Sequence, residues 1–285
     1  MSETLWSLHR AAKKTLTEAG CESPAFDAYC LMTHCFGVRR EDMPLRGGDP
    51  ADETEQGAFF AAVACRAGGY PLQYILGVWE FMGLPFAVGE GVLIPRPDTE
   101  VLCEAALAFL AKRPHADVLD LCAGSGAIGL TIGRMCPGVR VTAVEKSPEA
   151  LVFLRRNAAA LCPSVTIREI DVLRPPEGFP PCDLIVANPP YIPSNEIASL
   201  QREVTHEPGI ALNGGDDGLL FYRAICDLWL PLLKPGGALM AEIGSEQGPA
   251  VRAIFETSGL EGVTVRRDLA GLDRVVRGTC TGGEK

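Results

Sequence analysis

The chain is predicted to fold as an α/β protein: a mostly parallel, doubly wound sheet behind a small helical N-terminal domain, with a linking β-hairpin between them. Three observations carry this. Apolar residues recur at helical spacing up to about residue 68, short apolar strands alternate with helix-length segments from about residue 94, and an aromatic β-rich stretch centred on Gly83 separates the two patterns. The expected domains are 1–75 (helical), 76–93 (hairpin) and 94–285 (sheet).

In order along the chain, Leu5, Leu8, Ala12 and Leu16 form the first helical stripe. Ala25, Ala28, Leu31, Met32 and Cys35 form the second, and Phe59, Phe60, Val63 and Ala64 the third, ending near Gly68-Gly69. The hairpin covers 78–88. A helix starts near Asp98, with Asp98-Thr99-Glu100 as its cap. Strands are expected at 118–121, 139–144, 165–170, 183–187 and 237–243, with helices at 127–136, 148–161 and near 217–233. Buried strands separated by helices imply a sheet covered on both faces, whose ligands bind at the carboxyl ends of the strands.

Composition narrows the function. The 285 residues carry 26 Lys+Arg against 36 Asp+Glu, a net charge of −10, which disfavours binding to a long phosphate backbone. No uncharged apolar run approaches the roughly 18 residues that span a bilayer, and Met1 to Arg10 lacks a signal-peptide core. A cytoplasmic protein, neither membrane-bound nor stably bound to nucleic acid, is expected. Eleven scattered cysteines without C-x-x-C, and four isolated histidines, read as mostly buried thiols in a reducing compartment and as no metal site.

The first strand runs into Asp120-Leu121-Cys122-Ala123-Gly124-Ser125-Gly126, and Gly129 follows. Gly124 and Gly126 allow a sharp turn and close approach to a ligand, and Gly129 allows the helix to pack on the sheet. Glu145 ends the second strand, where a carboxylate can accept both ribose hydroxyls of a nucleoside. That pattern admits NAD or S-adenosylmethionine. Asp120 favours the second, because a strand-end carboxylate suits an ammonium and a sulfonium but repels a pyrophosphate. Asp171, closing the third strand, is placed either to meet the adenine edge or to cap a turn.

The fourth strand ends in Asn188-Pro189-Pro190-Tyr191. Two prolines fix the backbone and remove two N–H donors, so the loop is rich in acceptors. A planar –NH2 group needs two acceptors while its lone pair faces an electrophile. Asn188 Oδ1 and the Pro189 carbonyl would each take one substrate N–H, and the Tyr191 ring would lie on the flat face of an amide or base. No strong base stands out as the proton acceptor.

Asp120 to Gly126, Glu145 and Asn188 to Tyr191 together resemble the class I S-adenosylmethionine-dependent methyltransferases, Rossmann-like enzymes that modify planar nitrogens, adenine N6 included. Further motifs narrow the likeness: Tyr70-Pro71-Leu72-Gln73-Tyr74-Ile75-Leu76-Gly77, Phe81-x-Gly83, Val92 to Glu100, Glu207-Pro208 to Asp217-Gly218, and Tyr222-Arg223. These are similar to the release factor glutamine methyltransferases (the PrmC/HemK family), over nearly the whole chain and least before residue 65. The resemblance implies N5-methylation of the glutamine in the Gly-Gly-Gln motif of bacterial class I peptide chain release factors, with a helical N-terminal domain that grips the substrate. It implies that Cys122, Ala123, Gly124, Ser125, Gly126, Glu145, Asp171, Val172 and Asn188 meet the cofactor, with S-adenosylhomocysteine as product. By the same likeness Asn188, Pro189, Pro190 and Tyr191 hold the glutamine. Two positions depart from it: Cys122 stands where glycine is frequent, tolerable if it faces the sheet, and Glu145 where Asp is common.

Four other readings compete. The same loop chemistry would serve adenine-N6 methylation of nucleic acid, or glutamine methylation of a ribosomal protein. An NAD-dependent oxidoreductase leaves Asp120 and the loop Asn188 to Tyr191 unexplained, and a non-catalytic cofactor binder would lose nothing on Asn188→Ala. Arg96 and Glu100 have no assigned role, and a monomer is the default.

Overall fold

The computed structural model describes residues 3–281; Met1, Ser2 and 282–285, the outermost positions of the two expected domains, lie outside the described residues. The residues group into two compact units: one up to Val78 that takes back Gln201–His206, and one formed by Trp79–Leu200 and the residues from Glu207 onward.

The first unit contains α1 (Leu5–Glu18), α2 (Pro24–Phe36), the single turn α3 (Met43–Arg46), α4 (Glu53–Ala67) and α5 (Leu72–Leu76). A reciprocal cap starts α1, in which the Ser7 amide donates to Thr4 Oγ1 at 3.3 Å and the Thr4 amide to Ser7 Oγ at 3.0 Å. Its expected stripe is buried in full. On α4 the expectation needs correction: Phe60 and Ala64 are exposed, and the inner face is Phe59, Val63 and Arg66. Steps of four and three keep one face of a helix, so Phe60 and Ala64 each sit one residue round from it. The buried Arg66 donates to Asp27 at 2.7 Å and pairs with Glu203 at 2.7 Å, which ties 201–206 to this bundle. A charge at an inward helix position has no signature in an apolar stripe.

The second unit begins at Trp79, within the hairpin of β1 (Val78–Phe81) and β2 (Leu84–Ala87), and continues with α6 (Glu100–Leu110). Its sheet comprises β3 (Asp117–Leu121), β4 (Arg140–Glu145), β5 (Thr166–Glu169), β6 (Cys182–Ala187), β7 (Leu233–Glu242), β8 (Leu260–Arg267) and β9 (Asp273–Cys280). The strand order is β5-β4-β3-β6-β7-β9-β8; the first five are parallel and β9 runs antiparallel to both neighbours. The helices α7 (Ala127–Met135), α8 (Pro148–Leu161), α9 (Leu220–Ala224) and α10 (Gly248–Thr257) complete the unit. The mostly parallel sheet agrees with the sequence; α10 and the terminal β8–β9 pair were not anticipated.

Alternation along the strands separates two cores. Leu184 and Val186 of β6 join Leu102, Leu130 and Leu151 in one, whereas Ile185 and Ala187 join Tyr222, Trp229 and Phe255 in the other. Each large side chain buried this way contributes about 1.5–3 kcal/mol. The expected helix at 217–233 is shorter and irregular: α9 passes into a π turn at Ile225–Trp229 and a 3-10 turn at Leu230–Leu232. Pro231 offers no N–H for a continuing helix, and Trp229 is held where its Nε1 donates to the Val172 carbonyl at 2.9 Å. The hairpin packs on the sheet unit, with Asn157 of α8 bonding both the N–H (2.7 Å) and the carbonyl (3.1 Å) of Ala87.

Candidate active site

Three adjacent strands deliver the site. Leu121 pairs with Val144 on one side and Ala187 on the other, so the next residues, Cys122, Glu145 and Asn188, stand side by side at the carboxyl end of the sheet. Chain order moves outward from β3 to β5 and then reverses to β6, and ligands of such sheets bind at that reversal. A cavity lies there. Of the candidate residues it is lined by Cys122, Ala123, Gly124, Ser125, Glu145, Asp171, Val172, Asn188 and Pro190. Asp120, Gly126, Pro189 and Tyr191 are not among the lining residues.

Asp120 is therefore not placed as the sequence suggested. It is fully buried, and its Oδ2 accepts the Gly129 N–H at 2.8 Å. A Cβ on Gly129 would stand 2.6 Å from that oxygen, so the third glycine admits the carboxylate to the start of α7. Burial lifts the Asp120 carboxyl to about 7, against the pull of the Gly129 amide and with the help of Glu145. Its Oδ1 has no hydrogen-bond partner among the described residues.

Glu145 is a clamp on the loop. Its Oε2 accepts the Gly124 N–H at 2.8 Å, and its Oε1 accepts the N–H groups of Lys146 and Ser147, both at 2.8 Å. Asp171 lies two residues past β5, where Oδ1 accepts the Leu173 N–H at 3.0 Å and Oδ2 the Lys146 ammonium at 3.0 Å. Its turn-capping role is thus real, beside its place on the cavity wall. Burial raises its pKa, but the Leu173 amide and Lys146 outweigh that and leave it below the ordinary carboxylate value.

The Asn188 amide is oriented from behind. Its Nδ2 donates to Thr99 Oγ1 at 3.3 Å, and an amide that spends its donor inward leaves Oδ1 as the free acceptor. The Tyr191 carbonyl accepts from Gln247 Nε2 at 2.9 Å, which fixes the end of the loop. Burial pushes the Tyr191 phenol up to about 12. The segment after it bends back over the site, placing Pro208, Ile210 and Ala211 on the cavity wall.

The comparisons with known proteins agree with this layout. A family model described as PrmC N-terminal domain matches residues 7–77, and one described as Methyltransferase small domain matches 99–215. The chain is 40% identical to the release factor glutamine methyltransferase of Geobacter sulfurreducens, over 96% of this chain and 97% of the relative. It is 42% identical to the one from Clostridium acetobutylicum, over 93% and 94%. The chain belongs to the release factor glutamine methyltransferase family. Among solved structures, the hMettl16 catalytic domain in complex with an RNA hairpin superposes with a TM-score of 0.58 at 13% identity, covering 80% of this chain and 82% of that one. A T. thermophilus 16S rRNA methyltransferase in complex with AdoMet and guanosine gives 0.51 at 20% identity, over 71% and 49%. These two share the fold.

Within the release factor glutamine methyltransferase family, the departure at Cys122 now has a measurable cost. Its φ is +60°, and it lines the cavity. The left-handed region costs a non-glycine residue about 1–2 kcal/mol, which is why glycine suits this position. The residues left without a role also find one. Arg96 pairs with Glu207, whose other oxygen accepts the Ile94 N–H at 3.0 Å, and Glu100 accepts the Met82 N–H at 3.0 Å. Asp98 pairs with Arg274 at 3.2 Å, and no side chain caps α6. Sequence reading missed Lys146, Thr99 and Glu242. Glu242 ends β7 almost wholly buried, in a run of apolar residues that reads as strand.

All eleven cysteines are free: four are buried, Cys65 is exposed and the rest are partly buried. No helix among the described residues is long and apolar enough to cross a membrane.

Proposed function

We propose that this protein methylates the side-chain amide nitrogen, N5, of the glutamine in the Gly-Gly-Gln motif of bacterial class I peptide chain release factors, with S-adenosylmethionine as donor. Family membership supports the substrate class. The observation that carries the chemistry is the register that sets the Asn188 loop beside the glycine loop at the carboxyl ends of two central strands.

The residues present fit this cofactor. The two basic side chains on the cavity wall, Lys146 and Arg96, are each paired with a carboxylate, Asp171 and Glu207. The wall thus keeps the negative charge of Glu145, which suits a sulfonium and an ammonium and repels a pyrophosphate. Where a Cβ on Gly124 would lie, no atom comes within 4 Å, so a ligand can approach the backbone. Residues 122–125, Glu145, Asp171 and Val172 would hold the cofactor, with Asn188 at its reactive end. When bound, it supplies an electrophilic methyl on sulfur.

Asn188 Oδ1 accepts one N–H of the substrate amide, and the Pro189 carbonyl is the acceptor for the other. Both prolines lack an N–H, so no backbone donor of theirs competes for the glutamine nitrogen. Holding both hydrogens turns the nitrogen lone pair toward the methyl group, and alignment supplies much of the rate because an amide nitrogen is a weak nucleophile. Tyr191 packs on the flat face of the amide. The helical unit grips the protein substrate, and the enzyme works as a cytoplasmic monomer without stable contact to nucleic acid.

The test is transfer of labelled methyl to a purified release factor, beside a copy whose Gly-Gly-Gln glutamine is alanine and beside duplex DNA and RNA. Label on the intact factor alone is expected. Label on nucleic acid would transfer the loop chemistry to adenine N6 and overturn the reading.

A further inference from the structure

We propose that Glu242 is a positioning residue for the methyl transfer: from the end of β7 it locks the Asn188 amide with Oδ1 toward the substrate –NH2. The inference rests on the function proposed above and deepens it.

An asparagine amide has two orientations that differ only by exchange of O and N. In the wrong one, Nδ2 faces the substrate –NH2, donor against donor, and transfer stops. Something must choose. Thr99 Oγ1 accepts from Asn188 Nδ2, but a hydroxyl can donate as well as accept and would tolerate either orientation. A carboxylate accepts only. Asn188 and Glu242 directly follow Ala187 and Ala241, which are register partners on β6 and β7, so the carboxylate stands next to the Asn188 amide, and a flipped amide would set its oxygen against that charge. The negative charge also polarises the amide, which makes Oδ1 a better acceptor.

The placement of Glu242 argues against a purely structural role. It is 1% exposed, and its Oε2 has no hydrogen-bond partner among the described residues. A buried carboxylate left so costs stability, and a glutamine or an apolar residue would pack there at lower cost. The strand end is already fixed by the Tyr222 hydroxyl, which donates to the Glu242 carbonyl at 2.8 Å. Burial lifts the carboxyl to about 7; the Thr99 hydroxyl, Arg274 and the Asn188 amide oppose this, and Asp98 adds to it. The titratable and charged groups around it are Asp98 ahead of α6, Cys103 on α6, Tyr191 after β6, Tyr222 on α9 and Arg274 on β9. Arg274 does not neutralise it outright, because it is shared with Asp98 at 3.2 Å and Asp268 at 3.0 Å. The charged form, which orients Asn188, is therefore reached only as pH rises through about 7.

The test is steady-state methyl transfer to a purified release factor from pH 6 to 9, with calorimetric binding of S-adenosylmethionine to each variant. Glu242→Gln is expected to lower kcat about 100-fold, as a misplaced reacting group does, with cofactor affinity within about 2-fold of wild type. The acid limb near pH 7 is lost in Glu242→Gln and kept in Glu242→Asp. Thr99→Val, which leaves the carboxylate in place, is expected to lower kcat while keeping the limb, and it serves if Glu242→Gln does not fold. Wild-type kcat and an unchanged acid limb in Glu242→Gln would overturn the inference, as would loss of cofactor binding in step with kcat. Wild-type enzyme that leaves the factor unlabelled would sink the functional reading itself, and this inference with it.

Discussion

Glu145 and Glu242 are the same residue type at the same place in two parallel strands of one sheet, yet their surroundings are opposite. Glu145 ends β4 and accepts three backbone N–H groups, two of them on a single oxygen. Glu242 ends β7 behind Asn188, with one oxygen unpartnered and its carboxyl lifted to about 7 by burial. The first is bound by the backbone it organises, so its charge is spent on the shape of the glycine loop. The second has no backbone donor and acts on side chains, so its charge is available to orient them. Position at a strand end thus does not determine a carboxylate's role; the donors around it do.

Four changes sharpen or break that contrast, in descending order of effect. Asn188→Ala removes the acceptor that Glu242 orients; transfer is expected to fall about 1,000-fold, by the measure of losing a preorganised polar contact at a reacting centre. Cofactor binding measured by calorimetry should persist, and unimpaired turnover would instead leave only a binder. Glu145→Ala frees the Gly124 amide, and cofactor affinity is expected to weaken by about 1.5–3 kcal/mol, the worth of a hydrogen bond to a charged group. Equal affinity in that variant would show that the loop holds its shape without the clamp.

The third concerns pH and stability. The pKa values of Asp120 and Glu242 in the fold are raised from 3.8 and 4.5 to about 7. Folding then favours their protonated forms, so the stability they contribute is present below the ordinary carboxylate range and is lost as pH rises through about 7. Glu242→Gln removes one of the two titrations, so urea melts of this variant should decline less than wild type between pH 5 and 8. An identical decline would mean that Glu242 does not titrate there. The smallest effect is at Cys122, where Cys122→Gly relieves the left-handed backbone and returns entropy to the unfolded chain, for a net gain below about 1 kcal/mol. Thermal melting distinguishes that from a loss, which would mean that the thiol packs better than its backbone suggests.

Much of the sheet unit was legible because its signals are local. The strand preceding Asp120, the glycines at 124 and 126 and the Asn-Pro-Pro-Tyr run each announce a turn by residue type, and the five parallel strands follow from apolar runs. What escaped depends on contacts distant in sequence. Asp120 was read toward the ligand because nothing local shows that Gly129, nine residues on, would present its N–H to it. Arg96 and Glu207 are mutual partners across 111 residues, and neither names the other. Phe60 misled because a large apolar side chain outweighed the phase of its helix. Glu242 escaped for the reverse reason: in an apolar strand a terminal acid looks like the edge of the protein, and only the fold shows that it is inside.

The most direct measurement of the central claim is tandem mass spectrometry of a purified bacterial release factor after incubation with this enzyme and S-adenosylmethionine. One added methyl group on the side chain of the Gly-Gly-Gln glutamine is the expected result. A methyl group on any other residue, or an unmodified factor after incubation with enzyme that binds the cofactor, would contradict it.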